Sequence, residues 1–162
     1  MKTKDIAIIS IILIIVLITA GITLFSSKPT GAAVDTGTSA SLNKAVVYKS
    51  MSCGCCDNYV KYLKTQGFDV EVVNLADTSS IKQKYNIPAN MQSCHTTVIS
   101  DYFIEGHMPI EAVRKLLNEK TGISGIALPE MPSGSPGMTG PKTEPYKIYS
   151  LNNGIASDFM TV

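Results

Sequence analysis

The sequence predicts a mixed α/β domain behind a single membrane-spanning helix. The run 6–25 contains no charged residue, although the rest of the chain carries charges throughout. From residue 44 onward, short β-branched segments alternate with amphipathic ones. The 162 residues leave room for one ordinary domain and little more. We therefore expect an N-terminal anchor over 1–25, a linker over 26–43 and a folded domain over 44–162.

The apolar run is long enough to cross a bilayer as a helix, because twenty residues at about 1.5 Å each span about 30 Å. A cleaved signal peptide usually has a shorter apolar stretch, roughly 7–15 residues, followed closely by a small-residue cleavage site. The run therefore favours an uncleaved anchor. Lys2 and Lys4 precede it and only Lys28 closely follows it. This bias predicts that the folded domain lies outside the cytoplasm.

The segment that follows the apolar run has the composition of a linker. Residues 26–43 are rich in Gly, Pro, Ser and Thr, so they cannot bury enough apolar surface to order themselves. This composition predicts a flexible tether.

The region 44–162 has 11 basic and 11 acidic side chains, and Arg114 is its only arginine. A neutral domain of this kind lacks the basic surface of a nucleic-acid-binding protein.

The first half of the domain predicts a strand, a helix and a second strand. The β-branched segment 45–48 is typical of a buried strand. Residues 57–66 place apolar side chains on one helical face and lysines on the other, and Gly67 is suited to end that helix. The apolar segment 70–74 predicts the next strand.

The second half predicts a short helix, a hairpin and a closing helix. We expect the helix over 80–85, strands over 96–100 and 102–105, and the closing helix over 110–118, where apolar residues follow helical spacing. Beyond Gly122 the pattern fades, apart from one more strand near 145–151. This order of elements is the arrangement of thioredoxin and glutaredoxin.

The first chemically distinctive cluster is Cys53-Gly54-Cys55-Cys56, between the first strand and the first helix. Unpaired backbone N–H groups and the helix dipole favour a thiolate at this place. Cys53 and Cys56 have the spacing of a redox CxxC pair. Cys55 is surplus to a two-thiol redox motif, and extra thiolate in one place suggests metal binding.

The second cluster is Cys94-His95, just before the third predicted strand. In the glutaredoxin topology this strand begins beside the CxxC loop, so we expect the two clusters to meet. His107, which precedes the closing helix, can reach the same corner. Several thiolates with imidazole, and no nearby carboxylate except Asp57, form a soft site that selects Cu(I), zinc or iron–sulfur clusters.

Other interpretations of the cysteines remain open from the residues alone. Four cysteines in an exported domain can form two structural disulfides, although three within four residues are poorly spaced to cross-link a core. A closed structural zinc site also fits Cys and His ligands. In a redox interpretation, Cys53 attacks a partner disulfide and Cys56 resolves the mixed disulfide.

Four motifs, taken in order, resemble the DUF411 family, which includes CopG-type proteins associated with copper resistance. The motifs are the first cluster, Ser93-Cys94-His95-Thr96, Glu105-Gly106-His107-Met108-Pro109 and the turn-rich loop 131–138. The resemblance covers roughly 44–151. It implies a thioredoxin-like fold, an extracytoplasmic location and Cu(I) bound as a multinuclear cluster. The implied ligands are Cys53, Cys55, Cys56 and Cys94, with His95 or His107.

The leading hypothesis is thus a membrane-tethered, extracytoplasmic protein that binds copper and acts in copper resistance or copper redox handling. The alternative is a thiol–disulfide oxidoreductase that acts on partner proteins through Cys53 and Cys56. Both hypotheses leave open whether the protein is an enzyme. The copper hypothesis requires that Cys94 lie close enough to the first cluster to share an ion with it.

Overall fold

The computed structural model describes residues 43–119 and 122–162. In these two stretches no helix combines the length and the apolar character needed to cross a membrane. The predicted anchor over 1–25 and the predicted linker, except Asn43, lie outside the described residues.

The described residues form a mixed α/β structure around one seven-stranded sheet, as the sequence predicted at the level of fold class. The strand order is β2-β1-β3-β4-β5-β6-β7. The strands are β1 Lys44–Ser50, β2 Asp69–Leu75, β3 His95–Ile99, β4 Tyr102–Glu105, β5 Gly125–Ala127, β6 Lys147–Asn152 and β7 Ile155–Thr161. The helices are α1 Gly54–Thr65, α2 Ser79–Lys84 and α3 Ile110–Glu119, with a 3₁₀ turn at Ala89–Met91.

The unit β1-α1-β2 follows from its apolar pattern. β1 and β2 pair in parallel, and such strands need a crossover connection, which α1 supplies. The last helical residue is Thr65, and Gly67, two residues beyond, has a φ of +92° that suits a residue without a Cβ. There the N–H of Gly67 donates to the Lys64 carbonyl and the N–H of Phe68 donates to the Leu63 carbonyl. These two bonds form a Schellman motif and confirm the predicted end of the helix.

The helix α1 begins earlier than the prediction, at Gly54 instead of Asp57. The prediction followed apolar spacing, and the segment from Cys53 to Cys56 contains no large apolar residue that would reveal a helical face. Cys55 and Cys56 consequently lie in the first helical turn, and Cys53 immediately precedes it. This placement brings the first cluster onto the helix N-terminus itself.

The hairpin and the closing helix agree closely with the prediction. β4 has the predicted bounds, and β3 begins one residue earlier, at His95. β1 pairs antiparallel with β3, and β3 pairs antiparallel with β4. The helix α3 buries Ile110, Val113 and Leu116 in the main hydrophobic core.

The C-terminal strands were only partly predicted. β6 overlaps the expected strand near 145–151, whereas β5 and β7 were missed. β5 has only three residues, and Gly125 lies so close to β4 that a Cβ there would stand 2.2 Å from the Phe103 carbonyl oxygen. The first four side chains of β7 are all exposed, so this strand shows no apolar alternation that a sequence pattern could detect.

Candidate metal centre

The sulfur-rich turn connects β1 to α1. The N–H of Cys53 donates to the Ser50 carbonyl at 3.2 Å, which closes the turn. Cys53 and Cys56 form a disulfide with a Cα–Cα distance of 5.3 Å. Cys55 and Cys94, the other two of the four cysteines, carry free thiols and are half-buried. In this form of the protein, two of the four sulfurs are therefore paired with each other.

Cys94 lies directly beside this turn, although 38 residues separate it from Cys56 along the chain. The Cys94 Sγ is 3.4 Å from the Cys56 Sγ and 4.0 Å from the Cys55 Sγ. The Cys53 Sγ is 3.4 Å from the Cys55 Sγ. All four sulfurs lie within 4.8 Å of one another. The fold thus produces the proximity on which the copper hypothesis depends.

Two buried imidazoles approach Cys94 from the other side. The Cys94 Sγ is 3.4 Å from His95 Nδ1 and 3.3 Å from His107 Nε2. These three residues form a second group of donors within 4.8 Å, so Cys94 belongs to both groups. The structure brings together all six residues that the sequence singled out. Their roles as ligands, and those of Cys53 and Cys56 in redox chemistry, stay predictions.

The orientation of His107 is fixed by a backbone group. His107 Nδ1 is 2.7 Å from the carbonyl oxygen of Pro136, in the turn-rich loop 131–138. Because a carbonyl oxygen only accepts, Nδ1 carries the proton and donates it. Burial lowers the pKa of His107, which favours the neutral ring. The Nε2 lone pair then faces Cys94, as a metal-ligating nitrogen would.

His95 is held in an apolar and aromatic environment. Its ring centroid is 4.6 Å from that of Tyr59 and 4.9 Å from that of His107. Among the described residues, its Nε2 atom has no hydrogen-bond partner. Burial, followed by the neighbouring His107, lowers the pKa of His95 well below its usual value, so the ring is neutral.

The donor atoms of this site are sulfur and imidazole nitrogen, and the charged side chains near it lie outside the donor set. Burial, followed by the neighbouring Cys55, raises the pKa of Cys94 to about 11, so Cys94 is a thiol when no metal is bound. The buried Lys49 on β1 binds Asp57 Oδ1 at 3.0 Å. Within the described part of the chain, no carboxylate belongs to either donor group. Sulfur and imidazole donors of this kind fit Cu(I) or zinc.

Sequence reasoning assigned no role to three contributors to this site, although Glu105 and Pro136 lie within the motifs that carry the family resemblance. The Tyr59 hydroxyl donates to the Met108 carbonyl at 3.2 Å, and its ring, part of the main core, contacts both imidazoles. Pro136 acts only through its carbonyl oxygen, which no residue type reveals. Glu105 is fully buried at the end of β4, where it binds both sides of the Cys94-His95 pair.

Comparison with known proteins agrees with these motifs. A family model described as "Protein of unknown function, DUF411" matches residues 91–138. Two solved structures of a copper resistance protein copG, forms 1 and 2, are each 38% identical to this chain. The chain belongs to the DUF411 family of CopG-like proteins.

The likeness extends over nearly the whole of those family members. The alignments cover 74% of this chain and 96% and 97% of the copG chains, with TM-scores of 0.67 and 0.68. None of the curated proteins compared with the chain matches it. The resemblance seen in the four sequence motifs is thereby confirmed.

Proposed function

We propose that this chain is a copper-binding protein that acts in copper resistance and holds Cu(I) at its Cys/His cluster. The observation that carries the proposal is the position of the Cys94 Sγ, which lies in both donor groups. The proposed ligands are Cys53, Cys55, Cys56, Cys94, His95 and His107. Thiolate and imidazole suit Cu(I), and the names of the two solved relatives favour copper over zinc.

The two donor groups suggest a site for more than one ion. One group offers four sulfurs and the other offers one sulfur and two imidazoles, with Cys94 common to both. A thiolate shared between groups can bridge two soft ions. We therefore propose a multinuclear Cu(I) site and assign the surplus Cys55 to it.

Copper loading should depend on the state of the Cys53–Cys56 disulfide. The thiolate is the metal-binding form of cysteine, so the disulfide must first be reduced with two electrons to two thiolates. In the opposite direction, two Cu(II) ions can take one electron from each of the Cys53 and Cys56 thiolates. That step yields two Cu(I) ions and the disulfide, and it is our proposed route for copper redox handling.

We also propose the setting in which this site works. The β1-α1-β2 unit, the β3-β4 hairpin and α3 support a thioredoxin-like domain over 44–162, to which β5, β6 and β7 are added. The apolar run 6–25 and the lysines that precede it support a single-pass anchor within 1–25, a flexible linker over 26–43 and an extracytoplasmic domain.

Titration with Cu(I) tests the proposal directly. The full-length chain, kept anaerobic, is titrated in its reduced form and with the Cys53–Cys56 disulfide intact, against a competing Cu(I) chelator. We expect the reduced protein to bind more than one Cu(I) per chain and the disulfide form to bind more weakly. If the reduced protein binds no Cu(I), or prefers zinc under competition, the proposal is wrong.

The disulfide itself supports a second candidate function, thiol–disulfide exchange with partner proteins. After reduction, the Cys53 thiolate would attack a partner disulfide and form a mixed disulfide. Cys56 would then displace the partner, which leaves with two thiols while the Cys53–Cys56 disulfide re-forms. This activity requires neither Cys55 nor Cys94. Disulfide reduction that survives Cys55→Ser and Cys94→Ser, together with weak Cu(I) binding, would favour this function.

A further inference from the structure

A buried polar network lies directly behind the Cys94-His95 pair. Glu105, with no exposed surface, is its centre. Its Oε1 atom accepts the backbone N–H of Ser93 at 2.6 Å and also contacts Lys82 Nζ. Its Oε2 atom accepts the Thr96 hydroxyl at 2.6 Å. One carboxylate therefore holds the residues on both sides of the Cys94-His95 pair.

Backbone contacts also link the end of β4 to the segment that carries Cys94 and His95. Thr96 and Glu105 are register partners in the β3-β4 hairpin, and the N–H of Gly106 donates to the His95 carbonyl at 3.2 Å. Gly106 has a φ of +86°, and a Cβ there would stand 3.0 Å from the Ser93 Cβ and 2.5 Å from the Leu128 carbonyl oxygen. The end of β4 therefore packs closely against the Cys94 segment and against Leu128, at a position where a Cβ would be crowded.

The third partner of the carboxylate is buried as well. Lys82, on α2, is only 4% exposed and forms an ion pair with Glu105. Removing two charges from water is costly, and an apolar pair of similar size is often as stable. The ion pair is therefore weak evidence for a purely stabilising role. Because Glu105 also contacts Ser93 and Thr96, the ion pair can position the segment that carries Cys94 and His95.

We propose that Glu105 is a positioning residue that holds the segment 93–96 so that Cys94 and His95 face the sulfur-rich turn. Lys82 fixes the carboxylate from the opposite side. Glu105 itself is not a proposed ligand, because it belongs to neither donor group and its oxygens accept from Ser93, Lys82 and Thr96. The metal-dependent part of this proposal rests on the proposed function, whereas the geometric part concerns the metal-free chain as well.

The test removes the carboxylate without leaving Lys82 unpaired. The variant Glu105→Met/Lys82→Met replaces the buried ion pair by apolar side chains. Glu105→Gln/Lys82→Met removes the same charges but keeps an amide oxygen that accepts from the Ser93 N–H and an amide N–H that can donate to the Thr96 hydroxyl oxygen. The matched control is Glu71→Met/Lys44→Met, which removes an exposed ion pair of the same sheet, with a Lys44 Nζ to Glu71 Oε2 distance of 3.0 Å.

The first readout needs no metal. In full-length protein carrying Cys55→Ser, with the Cys53–Cys56 disulfide intact, Cys94 is the only free thiol, and its alkylation rate reports how firmly it is held. We expect Glu105→Met/Lys82→Met to raise this rate by about tenfold, because the Ser93 N–H and the Thr96 hydroxyl both lose their acceptor. The Gln variant should return the rate to within about threefold of wild type, and the control should not change it.

The second readout is Cu(I) affinity in reduced, full-length protein with all four cysteines. Partners that orient metal ligands typically contribute about 10–100-fold in affinity, and we expect a loss in that range for the Met variant, with substantial recovery in the Gln variant. Circular dichroism and thermal unfolding are recorded for every variant. If the Met variant does not fold, Thr96→Val removes one contact to Glu105 at nearly constant volume and should shift both readouts in the same direction.

The outcomes separate this proposal from the proposed function. If the wild type binds no Cu(I) while alkylation changes as expected, the copper function fails and the positioning role stands. If folded Met variants keep wild-type alkylation, or if they keep wild-type Cu(I) affinity in a protein that binds Cu(I), Glu105 is only structural and the proposal is overturned. Equal losses in the Met and Gln variants would also overturn it, since charge alone would then matter.

Discussion

The two sides of the candidate metal centre are built in different ways. On the sulfur side, Cys53, just before α1, and Cys55, in its first turn, are half-buried, whereas Cys56 is fully buried. On the imidazole side, His95 and His107 are completely buried. The sulfur side changes covalently, through the disulfide, whereas backbone carbonyls, rings and the Glu105 network hold the other side. Cys94 connects the two.

This difference suggests a division of labour. A partly open loop at a helix N-terminus is accessible to ions and to reductants. The imidazole side is a buried support, in which the Pro136 carbonyl orients His107 and the rings of Tyr59 and His107 pack against His95. We therefore expect substitutions on the sulfur side to change copper binding with little effect on folding. Substitutions around the imidazoles should affect both, to different extents.

The largest expected effect is the fall in Cu(I) affinity when sulfurs are removed from the sulfur side. Cys53→Ser/Cys56→Ser removes two proposed ligands, so Cu(I) affinity should fall by more than about a hundredfold, beyond the usual cost of losing an orienting partner. The fold should remain, because serine is close to cysteine in volume and the imidazole side is untouched, although Cys56 itself is fully buried. A chelator competition assay measures the affinity, and Ser52→Ala, in the same turn, serves as the control. Stoichiometric copper retention by a folded double variant would contradict the division described here.

Cys94→Ser tests whether Cys94 joins the two sides. It should lower Cu(I) affinity by about 10–100-fold and also reduce the number of ions bound, since both donor groups lose a member. Thiol–disulfide exchange through Cys53 and Cys56 should continue. Mass spectrometry of the copper-loaded protein under native conditions gives the stoichiometry, and an unchanged number of ions would show that the two groups do not share Cys94.

Local patterns predicted most of the fold that positions this centre. β1, α1, the β3-β4 hairpin and α3 have clear apolar spacing, and their order brings the Cys94-His95 pair beside the sulfur-rich turn. The six site residues could be singled out because cysteine and histidine are few and clustered. Comparison with the strand–helix order of thioredoxin then indicated which clusters would meet.

The remaining parts depend on contacts that residue types do not reveal. Glu105 is the last residue of β4, where a charged residue is usually exposed to solvent. Here its carboxylate is buried and paired with Lys82, 23 positions away in the sequence. Pro136 contributes a carbonyl oxygen, which every residue has. β5 is defined by its pairing with β4 and not by its three residues. Such features are set by tertiary structure, which a sequence pattern does not contain.

Gly137→Ala tests the loop that orients His107. Gly137 has a φ of +84°, and a Cβ there would stand 2.6 Å from the backbone nitrogen of Tyr59. The substitution should move the loop and its Pro136 carbonyl, destabilise the protein by about 1–3 kcal/mol and lower Cu(I) affinity by about tenfold. Urea unfolding and chelator competition measure the two effects.

Gly140→Ala is the matched control for that substitution. Gly140 has a similar φ of +89°, but the atom nearest to a Cβ there is the Ser133 hydroxyl oxygen, in a side chain that can rotate away. It should share the backbone strain and leave Cu(I) affinity unchanged. If both variants lose affinity equally, the loop does not act through His107.

The smallest expected effect is a difference in stability between the metal-free variants His95→Leu and His107→Leu. His95→Leu replaces a buried ring whose Nε2 has no partner among the described residues, so the metal-free protein should be as stable as wild type or more stable by about 1 kcal/mol. His107→Leu leaves the Pro136 carbonyl without its donor and should cost about 1–3 kcal/mol. Both should weaken Cu(I) binding by about tenfold or more. Thermal unfolding of the metal-free variants measures the contrast. If His95→Leu is as destabilising as His107→Leu, His95 is a packing residue of the core. If His95→Leu also keeps wild-type Cu(I) affinity, the imidazole side offers one nitrogen ligand instead of two.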